Sequence, residues 1–159
     1  MKTFLSIIIA SFLLLANNPA SEISESGKTS FINPLNTNAE VLAEFGSRTH
    51  PVTKEVRMHS GIDFKVTIGD DVHAAASGII LFMDRKDSYG KLIEIQHEDG
   101  FVTRYAHLSE FQEDLYEGAE VESGQLIAFA GNTGTVTSVV LHFELLLNGE
   151  AVDPMLYME

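Results

Sequence analysis

Six histidines and no cysteine set the terms for any chemistry in this chain; the imidazoles are His50, His59, His73, His97, His107 and His142. Disulfides, thiol catalysis and Cys-ligated zinc are excluded, so a metal must be held by His, Asp or Glu. His59-Ser60-Gly61-Ile62-Asp63 sets an imidazole four residues before a carboxylate. Positions i and i+4 share a face on a helix and also on a strand, so both side chains can converge. Gly61 and its β-type flanks argue for a turn or strand. Alone, that spacing arises often by chance.

A second segment sharpens the pattern. In residues 140–145 (VLHFEL) alternation puts Leu141, Phe143 and Leu145 on one face and Val140, His142 and Glu144 on the other. A histidine between bulky apolar neighbours is pinned by their packing, which is how a rigid ligand is built. In residues 101–108 the same alternation expects Tyr105 and His107 on a shared face. Two neutral imidazoles and one carboxylate suit zinc, with a fourth position left for a water whose pKa falls towards ~7. Glu144 has two readings, an orienting partner for the His142 ring or a plain solvent-facing carboxylate. His50, His73 and His97 read as structural or exposed, with His97, beside Glu98 and Asp99, a solvated turn residue.

These side chains must be positioned by strands. Residues 78–83, 92–97, 101–108, 125–130 and 141–147 have strand-like composition, and Asp99-Gly100 and Asn148-Gly149 are strong turn pairs. No long stripe at i, i+3, i+4 and i+7 appears from residue 43 onward, and only residues 110–116 suggest a short helical turn. Gly131, Asn132 and Gly134 read as turn chemistry rather than a phosphate cradle, since no Lys or helix start follows. The expected fold is all-β: a single antiparallel domain of sandwich or barrel-like form.

Composition narrows the functional classes. The 159 residues carry 10 Lys+Arg against 23 Asp+Glu, a formal charge of −13, which argues against nucleic acid as a partner. A hydrophobic fraction of 45% suits one globular core. Residues 1–20 open with Lys2 and an apolar run over 4–16, short of the roughly 20 residues that a permanent span needs. They read as a secretory signal peptide, which leaves no permanent membrane span after cleavage. Residues 21–42 read as a linker or N-terminal arm, and residues 43–159 as the folded domain. The expected location is secreted or periplasmic.

Taken in order, these motifs resemble a known family. From about Gly46 to Tyr157 the chain is similar to the lysostaphin-type (LytM-like) zinc endopeptidases, which cut peptide cross-links of bacterial peptidoglycan. The resemblance rests on His59-Ser60-Gly61-Ile62-Asp63, Tyr105-Ala106-His107-Leu108, Gly131-Asn132-Thr133-Gly134, Leu141-His142-Phe143-Glu144 and the closing Gly149…Val152-Asp153-Pro154. It implies Zn²⁺ on His59, Asp63 and His142, with His107 as the catalytic histidine that activates water or stabilises an oxyanion.

One position departs from the family. Its last motif is normally His-x-His, and the first of those imidazoles is catalytic; here that position is Val140, and residues 137–139 lack the usual Gly-Pro. Valine neither moves a proton nor donates a hydrogen bond, and losing one acid–base group costs ~10²–10⁴ in rate. Two readings follow: a weakened endopeptidase in which Tyr105 or another residue assists His107, or a zinc-binding relative that binds cell wall or regulates a wall hydrolase. A third is a metallopeptidase acting on peptides outside the wall.

Overall fold

The computed structural model describes residues 30–49 and 54–159. The expected leader (residues 1–20), the start of the arm up to residue 29, and His50 lie outside the described residues. The strands follow in chain order as β1 (Val41–Ala43), β2 (Gly46–Thr49), β3 (Val56–His59), β4 (Ile62–Lys65), β5 (Asp71–His73), β6 (Gly78–Lys86) and β7 (Gly90–Gln96). Then come β8 (Phe101–Leu108), β9 (Glu110–Phe111), β10 (Glu120–Val121), β11 (Leu126–Phe129), β12 (Val140–Leu147) and β13 (Glu150–Val152). An eight-stranded antiparallel sheet runs β1-β4-β12-β8-β7-β6-β10, with β13 pairing β12. A three-stranded sheet, β5-β11-β9, packs across it, and β2 and β3 form a separate ribbon. The large sheet ends at β1 and β10, so it does not close into a barrel. The architecture is all-β and antiparallel, as expected.

Alternation along the central strands assigns the two faces of the large sheet. Ile62, Phe64, Ile80, Ile93, Ile95, Tyr105, Leu141 and Phe143 point to the core, where they meet Val72, Ala75, Ile127 and Ala128 of the smaller layer. Phe31 is fully buried in this core, so the chain preceding β1 lies against the sheets. The opposite face of β4, β12, β8 and β7 carries polar groups, and the metal-type residues stand there. Asn148 (φ 52°) and Gly149 (φ 86°) make the left-handed turn into β13, as their residue types require. The hairpin at Asp99-Gly100 is equally regular, both residues having positive φ. Residues 110–116 differ from expectation. Glu110–Phe111 is a strand paired with β11, which gives those backbone groups a sheet partner in place of a helical turn.

His97 also departs from its expected role as a solvated turn residue. It is only 6% exposed, at the base of the β7–β8 hairpin under the ring of Phe31. Its Nδ1–H donates to the Ser77 carbonyl at 2.8 Å, and Nε2 lies 2.7 Å from the Thr103 hydroxyl. Thr103 Oγ1 is in turn 3.0 Å from the Tyr105 hydroxyl. Burial pushes the His97 pKa below its usual 6.5, against a smaller upward pull from the Ser77 hydrogen bond. A proton therefore prefers the unfolded chain. Stability contributed by this neutral ring is complete above pH 6.5 and is lost as pH falls towards the lowered folded-state value. Urea melts between pH 7.5 and 5 should show a shallower acid loss for His97→Gln than for wild type; parallel curves would refute this assignment.

Candidate metal centre

Strand register brings distant residues together. β12 lies between β4 and β8, with His142 directly opposite Asp63 on one side and Ala106 on the other. Directly opposite residues share a face, so the His142 imidazole and the Asp63 carboxylate meet, with Nδ1 2.7 Å from Oδ1. His59 ends β3, and its Nε2 lies 3.2 Å from Asp63 Oδ1 and 3.3 Å from His142 Nδ1. The tight turn between β3 and β4 depends on Gly61, where a Cβ would collide with the Phe143 carbonyl oxygen. That close approach lays the turn over β12 and delivers His59 to the cluster.

The donor set fits a divalent ion. Nitrogen or oxygen ligands ~2.0–2.1 Å from a tetrahedral zinc stand roughly 3.3 Å from one another. Among the described residues, His59, Asp63 and His142 form a group of such atoms mutually within 4.8 Å. Each imidazole also has a partner on its far nitrogen, as metal-ligating histidines usually do. His59 Nδ1 is 2.8 Å from the Glu44 carbonyl, with the Arg48 guanidinium close beside it. His142 Nε2 is 3.1 Å from Glu144 Oε1.

Charge is concentrated here. Burial resists ionisation of Asp63, but hydrogen bonds from His142 and His59 overcome it and hold the carboxyl well below the usual range. Burial by itself would depress the His142 pKa; its bonds to Asp63 and Glu144 raise it instead to about 9. The carboxylate and the imidazole thus favour each other's charged forms.

His107 reaches the same cleft by a route that alternation misses. Lys91 pairs with Leu108 and Ile93 with Tyr105, so Ala106 and His107 together oppose Leu92 as a bulge. His107 adopts φ 63°, a left-handed conformation uncommon for residues other than glycine. The bulge turns its ring away from the core and towards His142, with centroids 5.9 Å apart. Tyr105 stays on the core face against Phe143, its hydroxyl accepting from the Ala75 amide at 2.8 Å. The shared face expected for Tyr105 and His107 is therefore corrected, and Tyr105 is removed as a helper.

Thr133 secures the bulge. Its carbonyl accepts the His107 Nδ1–H at 2.8 Å, and its hydroxyl donates to the Leu108 carbonyl at 2.7 Å while accepting the Lys91 amide at 2.9 Å. The Gly131–Gly134 turn thus acts as a staple on Nδ1, with no hydrogen bond to His107 Nε2 among the described residues. Burial lowers the His107 pKa against the pull of the Thr133 bond, which keeps the ring neutral.

The cleft encloses about 400 Å³ and is bordered by Ser60, Tyr89, Thr135, Thr137 and Val140 besides the histidines and Asp63. Val140 does face it, as alternation expects. His73 stands apart, with Nδ1 3.3 Å from the Pro34 carbonyl. Glu144 is not solvent-facing: it is 1% exposed and bonded to His142. Ser60, Tyr89, Arg104 and Thr133 were not singled out as site residues by sequence reasoning. Arg104 is the one with a visible signal, since it pairs directly with Glu144 across β8 and β12; Tyr89 and Thr133 lie on connections that carry no period.

An all-β scaffold thus presents two imidazoles, one carboxylate and a facing histidine in an open cleft, a donor set that could hold a metal ion. Residues 57–154 match the description "Peptidase family M23", and the chain belongs to that family. It is 41% identical over 124 residues to the DD-carboxypeptidase/endopeptidase Mpg of Neisseria meningitidis, covering 78% of this chain and 28% of that protein. With the peptidoglycan DD-endopeptidase ShyA of Vibrio cholerae it shares 37% identity, covering 77% of this chain and 28% of the relative. A zinc containing peptidase from Vibrio cholerae superposes with a TM-score of 0.75 at 34% identity, over 80% of this chain and 40% of that one. The chain therefore spans under a third of the length of these two curated relatives.

Proposed function

We propose that this chain is the peptidase domain of an exported, zinc-dependent endopeptidase that cleaves peptide cross-links of bacterial peptidoglycan, at a rate limited by Val140. The observation that carries the reading is the convergence of His59, Asp63 and His142 opposite a neutral, tethered His107. The names of the relatives, a peptidoglycan DD-endopeptidase among them, support the substrate class. The zinc containing neighbour supports the metal. Residues 1–20 would direct export, residues 21–42 would form the arm, and residues 43–159 the peptidase domain. Among the described residues no helix is long and apolar enough to cross a membrane.

A zinc ion held by His59, Asp63 and His142 would supply Lewis-acid polarisation of the scissile carbonyl and a lowered pKa for the attacking water. His107 does the rest. With Nδ1–H committed to the Thr133 carbonyl, its bare Nε2 takes the proton from the attacking water and returns it to the leaving amine. The Thr133 staple holds that nitrogen towards the cleft without any rearrangement of the ring.

Val140 favours a second reading, a zinc-binding relative without turnover that binds cell wall or regulates a wall hydrolase. Cross-linked peptidoglycan incubated with the purified protein separates the two. The expected result is slow release of cross-link fragments that ends on adding a chelator and returns with zinc. Release unaffected by the chelator would refute metal dependence, and no release from zinc-loaded protein would establish the second reading.

A further inference from the structure

We infer that Glu144 is a positioning residue of the metal centre, whose single carboxylate locks the His142 ring and the His59–Asp63 turn into one unit. The inference rests on the reading of His59, Asp63 and His142 as the zinc ligands. Glu144 stands two residues after His142 on β12, so both side chains leave the same face of the strand. His142 Nδ1 points at Asp63 and His59, while Nε2 meets Glu144 Oε1 at 3.1 Å. A cation at the cluster needs Nδ1 bare, and a carboxylate accepting at Nε2 keeps the remaining ring proton there.

The carboxylate is itself held firmly. Oε1 accepts from the Tyr89 hydroxyl at 2.9 Å and from Ser60, and Oε2 accepts from Arg104 at 3.1 Å. Arg104 is fixed in turn by Glu94 at 2.9 Å, on the neighbouring strand β7. Four donors from four different segments therefore converge on a group with almost no contact with water. Ser60 is the link that matters most: it sits between His59 and Gly61, so its bond to Glu144 ties the turn bearing two ligands to the strand bearing the third. A carboxylate serving only to neutralise Arg104 would need neither the hydroxyls nor the imidazole.

His59 offers an internal contrast. Its outer nitrogen meets a neutral backbone carbonyl, that of Glu44, with the Arg48 guanidinium beside it, on the exposed side of the cluster. His142 alone is backed by a full negative charge. Such a partner raises the donor strength of the ring, and its removal costs about 10- to 100-fold in metal affinity.

Zinc affinity of the full chain, measured by competition with a chromophoric chelator, tests this with Glu144→Ala, Glu144→Gln and His59→Ala beside wild type. Wild type should bind and His59→Ala should not. Glu144→Ala should lose about 10- to 100-fold, and Glu144→Gln, whose amide oxygen still accepts from Nε2–H, should recover most of it. In zinc-loaded protein labelled with ¹⁵N-histidine, the His142 Nε2 proton should be protected in wild type and exchange rapidly in Glu144→Ala. Wild type and His59→Ala binding zinc equally would sink the metal reading itself. A ligand-dependent site with Glu144→Ala matching wild type in affinity and exchange would overturn the present inference alone. Should Glu144→Ala not fold, Ser60→Ala carries the test, with a loss of about two- to tenfold expected from one missing hydrogen bond and none overturning the assignment.

Discussion

Replacing Val140 with histidine is expected to raise peptidoglycan cleavage by about 10²–10⁴-fold, the range one positioned acid–base group contributes. In free energy that is about 2.7–5.5 kcal/mol of barrier. Val140 lines the cleft shared by His59, Asp63, His107 and His142, and it stands two residues before His142 on β12. Alternation aims both side chains to the same side, so a new imidazole would project alongside the metal site. The valine is 5% exposed but borders an open space of about 400 Å³, which leaves room for the larger ring. Val140→Ala is the control, since it enlarges the space and adds no proton carrier. Cleavage by zinc-loaded Val140→His no faster than by wild type would mean that the loss at this position is not what limits the chain. A large gain from an undetectable start would assign the native protein to the zinc-binding, non-hydrolytic reading.

The site was legible in proportion to how far it obeys strand periodicity. Val140, His142 and Glu144 follow it, and all three occupy the expected face of β12. The i, i+4 spacing of His59 and Asp63 also holds, although a glycine-dependent turn rather than one continuous strand achieves the convergence. His107 breaks the period: one extra residue between the pairings of Leu108 and Tyr105 reverses its face, and nothing in residues 101–108 marks a bulge. The stabilising partner is 26 positions away, in the Gly131–Gly134 turn. His97 failed for a different reason. Its acidic neighbours Glu98 and Asp99 suggested water, but a residue just past a hairpin's strand is buried or exposed according to what packs over it, here Phe31 from the segment preceding β1. Linear context cannot supply that contact, whereas turn pairs such as Asp99-Gly100 act locally and were legible.

His142→Ala should abolish zinc retention, while His107→Ala should leave it intact, although both side chains face one cleft. His142 contributes one of the three converging ligand atoms, and its Nδ1 is the closest partner of the Asp63 carboxylate at 2.7 Å. Two remaining ligands on one short turn make a far weaker site, so a loss of at least ~100-fold is expected, at or beyond the top of the range seen when only an outer partner is removed. His107 instead spends Nδ1 on Thr133 and keeps its ring centroid 5.9 Å from that of His142, in the same cleft. Its removal should cost hydrolysis alone, about 10²–10⁴-fold in a Val140→His background where the rate is measurable. Metal content after dialysis, set beside the rate for each variant, gives the pattern. His107→Ala protein that had lost its zinc would make His107 a ligand, and zinc-replete His142→Ala would move the metal away from β12. Either would redraw the division of labour, in which the paired strands β4 and β12 and the β3–β4 turn hold the cation and a bulge in β8 carries the proton.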